Sequence, residues 1–580
     1  MLLTERHGTA RNGTSLGLAC LEWLEGESSF IFWMVVLNLT VVTFDLTYRT
    51  NLRDNIFIRQ VIIFTVDVAI ILFLAVILDI ILYFLFRRLS FLHKFAKIFF
   101  LIVNIFMFSI DLFTIYHYQI PLNVAMFDIV MMTNFREGSE FLQMYLTDKN
   151  FWLYILFVAA LIFIAWKLFA LIIRNKALFC VLILVTFCYG GFAAIRDTFF
   201  RKTIRNIVNY VGASRLYSIL SHSYEGRSAY QKMLKEAPQN PIITRNDSSI
   251  PYVVFILGES TNRKHMSIYG YELNTTPNLL KRQNENRLYV FNDVVSAGFN
   301  TYTSLQKIFT FYRYGYAKNW FNYMNLLSIL NSVNYHTVWL SNQENNVNAD
   351  VISFFPKLCR VNKFTELKDN WDFGTAYDEE LLPMLDKELK HLHEKNFYLL
   401  HLMGTHGAYK KRYPEDYEKF SAKDETGGFE GINEDQKQVR AEYDNAVLYN
   451  DYIINEIVER FEDKNAIVIY ISDHGLEIFD TINFSGHTSK IASGCEIPFI
   501  IWLSEKFAAS YPEIEARIAS SVNKPYMTDD MIHTVLDIMQ IETPEYDPTK
   551  SIINPSFDVT RPRIYSGHLY DKEKGLIAIQ

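Results

Sequence analysis

Cysteine is scarce: the 580-residue chain has five, and only Cys359 and Cys495 belong to its polar part. A disulfide framework is excluded, with room for one bridge between those two. Cys20 precedes the first apolar stretch, and Cys180 and Cys188 lie inside the last. A basic excess is also missing. The formal net charge is −7, and no segment resembles a nucleic-acid-binding surface. No internal repeat or long low-complexity segment is present. Residues 1–28 lack a compact apolar stretch before a small-residue cleavage site. They do not read as a cleaved signal peptide, so the first apolar stretch is expected to remain as an anchor.

Apolar and aromatic residues are abundant: 50% of the chain is hydrophobic and 15% aromatic, with 46 Phe and 35 Tyr. The excess is concentrated before residue 200. Residues 61–86 could cross a bilayer, interrupted only by Asp67 and Asp79. Similar stretches lie at 29–47, 97–117, 151–173 and 177–195. Residues 1–196 are therefore expected to form a five-helix transmembrane domain. Arg87, Arg88, Lys94 and Lys97 fall between the second and third stretches, and Arg174 and Lys176 between the fourth and fifth. Positive charge favours the cytoplasmic side, which puts the amino terminus inside and residues 200–580 outside. Arg49, Arg53 and Arg59 run against that orientation. Residues 118–150 are amphipathic in places and are expected along the outer membrane surface. Residues 197–249 read as a linker, closing with Pro, Asn and Ser at 237–249.

From residue 250 to 580 the pattern is globular. Strands are expected at 252–257, 337–340, 397–402, 466–472 and 497–503, with helices between them such as 377–394 and 437–461. That alternation implies an α/β domain with a mostly parallel central sheet. Three of the strands stop at Gly-containing turns. The first ends in Gly258-Glu259-Ser260-Thr261, the third runs into Met403-Gly404-Thr405-His406-Gly407, and the fourth ends in Asp473-His474-Gly475. Parallel strands deliver their carboxyl ends to one edge, where open α/β sheets place their chemistry. Two carboxylates and an imidazole at that edge suit Zn²⁺. Residues 294–313 add a Ser/Gly/Asn-rich loop leading into a helix, with Thr301 near its start. Thr301 reads either as a helix cap or as a hydroxyl nucleophile activated by a metal and the helix amino terminus. His406 and His487 suit a phosphate or second-metal role. His401, inside an apolar run, reads as structural or as a further member of that group.

These motifs, with Met266-Ser-Ile-Tyr-Gly-Tyr271 and Thr275-Thr-Pro277, resemble the membrane-bound phosphoethanolamine transferases of Gram-negative bacteria, within the alkaline phosphatase and sulfatase superfamily. The resemblance covers nearly the whole chain. Gly258-Glu-Ser-Thr261 and Trp339-Leu-Ser-Asn-Gln343 look most like the branch acting on heptose of the lipopolysaccharide core. It implies an inner-membrane enzyme with its catalytic domain, 250–580, in the periplasm. Glu259, Thr301, Asp473 and His474 would bind zinc. Thr301 would attack phosphatidylethanolamine, carry the phosphoethanolamine group and pass it to a lipopolysaccharide acceptor, core heptose being favoured over lipid A. His406 and His487 would hold phosphoryl oxygens or a second zinc, with His401, Asn342 and Gln343 as further substrate or second-metal residues. Thr133 and Glu137 would contact the donor head group.

The chain departs from the colistin-resistance members. Its nucleophile loop reads Ser296-Ala297-Gly298 without their Cys, and Leu476 follows Asp-His-Gly, the acid coming one later at Glu477. Their Asn-and-Lys donor pocket has only Asn342 and Gln343 as substitutes. These differences argue against lipid A as the acceptor. The alternative reading is a glycerol-phosphate transferase using phosphatidylglycerol, like the lipoteichoic acid synthases. A membrane sensor with a structural zinc site fits less well, because such sites are closed by Cys and His.

Overall fold

The computed structural model describes residues 241–571 except 286, 344–350, 366–376 and 490. Before residue 241 it describes mainly 29–38, 75–86, 88–118, 148–174 and 212–221. The chain separates into two compact units, Met1–Gly226 and Arg227–Gln580.

In the first unit, two helices are long and apolar enough to cross a membrane: Ser90–His117 within α1 (Ser90–Tyr118), and Lys149–Phe169 within α2 (Lys149–Arg174). They correspond to the third and fourth expected spans. The third begins earlier than expected, so Lys94 and Lys97 lie on the helix. Shorter apolar helices, Ser29–Asn38 and Ala75–Phe86, fall in the first and second. The fifth span, Thr133 and Glu137 lie outside the described residues, as does most of 118–150. Several buried polar groups among the described residues of this unit are paired. Lys97 meets Asp79 at 2.5 Å, Arg215 meets Asp111, and Asn38 accepts from the Gly212 amide at 2.8 Å and donates to Asn104 at 3.0 Å.

The second unit is built on a seven-stranded sheet. Its strands are β1 (Tyr252–Gly258), β2 (Leu288–Val290), β3 (His336–Ser341), β4 (Val361–Phe364), β5 (Asn396–His401), β6 (Ala466–Ser472) and β7 (Phe499–Leu503). Their order across the sheet is β2-β7-β6-β1-β5-β3-β4. The pairings β1–β5, β1–β6, β3–β4 and β3–β5 are parallel. β7 is antiparallel to both β6 and β2, so the sheet is mixed on that side. Strand 497–503 is thus the one that makes the expected mostly parallel sheet mixed. Its direction depends on the route of the connection, which composition does not encode.

Alternation along β1 explains the two-sided core. Val253, Phe255 and Leu257 join one buried cluster with the helix α3 (Thr301–Ile308). Val254 and Ile256 join the other, with the helices α4 (Leu381–Glu388) and α5 (Glu434–Glu459). Both faces of the sheet are covered, as the continuous apolar runs of its central strands require. Cys359 and Cys495 are buried and free, so the bridge that the sequence left open does not form.

Candidate active site

The register of β1 and β6 builds the site's centre. Gly258 stands opposite Ser472, so the next residues, Glu259 and Asp473, emerge side by side. The Asp473 amide donates to the Gly258 carbonyl at 3.0 Å. Gly258 has to be glycine, because a Cβ there would stand 2.8 Å from the Tyr470 ring. Behind Glu259 the chain turns through Ser260 at φ +59°, a left-handed conformation uncommon outside glycine. Gly404, in the turn after β5, approaches so closely that a Cβ would lie 2.9 Å from the Glu259 carbonyl oxygen.

Glu259, Asp473 and His474 are buried, and one ligand atom of each lies within 4.8 Å of the others. His474 Nε2 is 3.1 Å from Glu259 Oε1 and 3.4 Å from Asp473 Oδ2. Its other nitrogen, Nδ1, pairs with the Gly475 carbonyl at 2.8 Å, which leaves Nε2 facing the carboxylates. Asp473 Oδ1 accepts from the amides of Ser260 at 3.1 Å and His474 at 2.7 Å. Asp473 Oδ2 is buried and accepts no hydrogen bond, and His474 Nε2 faces only the two carboxylates. Burial, then the Glu259 charge, pushes Asp473 up to about 8. Burial opposes charge on His474, yet Asp473 and Glu259 pull it up to about 9. A divalent cation would satisfy the orphaned oxygen and displace the protons the cluster otherwise retains. The donor set therefore fits zinc.

Thr301 joins the same cluster. Its hydroxyl donates to Glu259 Oε2 at 2.9 Å and also reaches Asp473. Thr301 is the first residue of α3 and not its cap. Asn300 is the cap, its side chain accepting from the Thr303 amide at 2.9 Å. Gly298 makes the approach possible: a Cβ there would meet the Thr303 and Ser304 hydroxyls at 2.5 Å.

Around this centre, His487 is exposed, its ring 4.6 Å from His474 and 6.4 Å from His406. His406 is half-buried with an unpartnered Nδ1. His401 is fully buried beside Trp339, and neither ring nitrogen has a hydrogen-bond partner. Burial lowers its imidazole to about 4, keeping it neutral. Gln343 donates to Glu259 Oε2 at 3.1 Å, so it braces a member of the triad. The adjacent Asn342 donates to Asp378 and accepts from Thr365, each at 2.8 Å. Asp378 was not singled out in the sequence. It also accepts from the Met403 and Gly404 amides, both at 2.8 Å, and so fixes the turn against Glu259. Glu477 accepts from the Thr481 amide at 2.7 Å and from Ser493, shaping the loop after His474.

A mostly parallel α/β sheet that gathers carboxylates, imidazoles and a hydroxyl beyond its strand ends defines a metal-dependent enzyme of the alkaline phosphatase type. The chain belongs to the sulfatase family, whose model matches residues 251–541. It is similar to phosphoethanolamine transferase EptC of Escherichia coli K12, at 28% identity over 74% of this chain and 78% of that one. A solved zinc complex of the C-terminal periplasmic domain of Escherichia coli EcEptC matches at 29% identity. Its TM-score is 0.52, covering 56% of this chain and 93% of the other. The integral membrane protein EptA, a lipooligosaccharide phosphoethanolamine transferase of Neisseria meningitidis, shares the fold at TM-score 0.61 and 22% identity. That match covers 90% of this chain and 98% of the other.

Proposed function

We propose that this protein transfers phosphoethanolamine from phosphatidylethanolamine to lipopolysaccharide, with core heptose as the favoured acceptor. One observation carries the reading: a threonine hydroxyl at a helix start stands 2.9 Å from a buried carboxylate of a metal-competent triad. Residues 1–196 would be a five-helix inner-membrane anchor, 197–249 a linker and 250–580 a periplasmic catalytic domain.

Glu259, Asp473, His474 and Thr301 would hold zinc. A zinc ion there supplies positive charge that acidifies a nearby hydroxyl and offsets charge on a phosphoryl group. In the first step the Thr301 oxygen bonds to the donor's phosphorus, and the bond from phosphorus to the diacylglycerol oxygen breaks. Diacylglycerol leaves with the proton that Thr301 gives up. In the second step an acceptor hydroxyl bonds to the same phosphorus, the bond from phosphorus to the Thr301 oxygen breaks, and the acceptor's proton passes to Thr301. Glu259, itself held by Gln343 and Ser260, fixes the threonine oxygen's position. His406, whose Nδ1 has no hydrogen-bond partner, and His487 would hold phosphoryl oxygens or a second zinc. His401 would be a further member of that group, while Asn342, through Asp378, supports the turn after β5. Thr133 and Glu137 would contact the donor head group.

Replacing Thr301 with Ala should abolish the phosphoethanolamine mass increment on lipopolysaccharide. An undiminished increment would refute the covalent step. Labelled phosphatidylethanolamine and phosphatidylglycerol, supplied separately, separate this reading from glycerol-phosphate transfer by which one labels Thr301.

A further inference from the structure

One stripe of α5 is polar and yet buried. Arg440, Tyr443 and Asp444 are spaced as one helix face and are 2%, 0% and 0% exposed. Burying such groups is unfavourable unless each is matched. Here each is matched by a segment that carries part of the candidate metal centre.

Tyr443 grips the turn behind Glu259. Its hydroxyl donates to the Ser260 carbonyl and accepts from the Asn262 amide, both at 2.8 Å. These peptide groups bracket the turn that Ser260 enters at positive φ. The Ser260 amide is also the group that donates to Asp473 Oδ1. One phenol thus fixes a backbone that both presents Glu259 and orients Asp473.

Asp444 and Arg440 continue the grip. Asp444 pairs with His265 Nδ1 at 2.6 Å and accepts from Tyr271 at 2.8 Å. His265 Nε2 reaches Asp480 at 3.1 Å, and Arg440 donates to Asp480 and to the Ile478 carbonyl. Arg440 also donates to Glu425 at 2.9 Å. His265 lies on the segment that follows Glu259, and Ile478 and Asp480 on the segment that follows His474. Asn262 donates to the Leu476 carbonyl at 3.1 Å and joins the two segments directly.

We propose that α5 is the positioning element of the metal centre, with Tyr443 its principal residue and the Asp444–His265–Asp480–Arg440 chain its second hold. The stripe sets the spacing of Glu259 from Asp473 and His474 without contributing a ligand. Such outer partners typically change metal affinity about 10- to 100-fold when lost. The inference rests on those three residues being the metal ligands.

Tyr443→Phe is the decisive variant, because it keeps the ring against His265 and Tyr409 and removes only the hydroxyl. In the full-length protein, chelator competition should show zinc held about tenfold or more weakly than in wild type. At saturating zinc, transfer of labelled head group onto Thr301 should slow about tenfold while KM for the donor stays within about twofold. The melting temperature should fall by no more than about 5 °C. Zinc affinity within about twofold of wild type would overturn the proposal. If Tyr443→Phe does not fold, the paired replacement of Asp444 by Asn and His265 by Gln serves instead. It removes the Asp444–His265 pair and leaves Asp480 with Arg440 as its partner, and the same weakening of zinc binding is expected. Wild-type protein that binds zinc but never labels Thr301 would refute the transfer reading, and the affinity comparison would still decide the role of α5. Wild-type protein that binds no zinc would overturn both.

Discussion

Two charged clusters share the chain segments that follow Glu259 and His474, and they are finished differently. At Glu259, Asp473 and His474, two carboxylates crowd one imidazole and the buried Asp473 Oδ2 accepts no hydrogen bond. At His265, Asp444, Asp480 and Arg440, the charged atoms face each other: both ring nitrogens meet carboxylates and the arginine has two acids. Burial alone therefore does not mark a reactive site. What separates the clusters is unfilled bonding capacity, which is present where an ion is to be bound and nearly absent where segments are to be held.

Removing a ligand from the open cluster should have the largest effect. His474→Ala should eliminate stoichiometric zinc, by metal analysis of the purified protein, and lower transfer by about three orders of magnitude or more. Retained zinc would mean that the unfilled atoms are not ligands. Breaking the closed cluster should act on stability. Burial works to lower the His265 pKa, but Asp480 and Asp444 more than offset it and raise it to about 10. A raised pKa stabilises the fold fully below the unfolded value of 6.5 and loses that stability as pH climbs through 10. His265→Gln should therefore destabilise the domain by about 3–5 kcal/mol near neutral pH and flatten the alkaline slope of a melting-temperature profile. An unchanged slope would show that His265 is not held as a cation. Asn342→Ala should have the smallest effect. It leaves one Asp378 oxygen short of a donor, so about 1–3 kcal/mol of stability is lost while zinc affinity is retained. Loss of zinc in that variant would move Asn342 into the site.

The open cluster was largely legible in the sequence, and the closed one was not. Glu259, Asp473 and His474 each follow a strand within two residues, so hydrophobic patterning alone brings them to one edge. Thr301 was legible as the start of a helix, although the capping role belongs to Asn300. Tyr443 and Asp444 sit inside a long helix, where a polar stripe reads as an ordinary solvent face until the partner segments are known. Asn342 and Gln343 are neighbours with similar side chains, and only their strand-end geometry sends one to Asp378 and the other to Glu259. The strand β4, Val361–Phe364, is short and half-polar and has no alternation to betray it. Its place comes from pairing with β3.

The placement of Asn300 and Thr301 has one more consequence. A threonine that capped its own helix would have its hydroxyl occupied by a backbone amide, and attaching a group to it would fray the first turn. Here Asn300 holds the turn closed, and the oxygen of Thr301 is left out of the helix's own bonding. Under the proposed transfer, the residue would be loaded and unloaded through repeated cycles while Asn300 keeps its mounting closed.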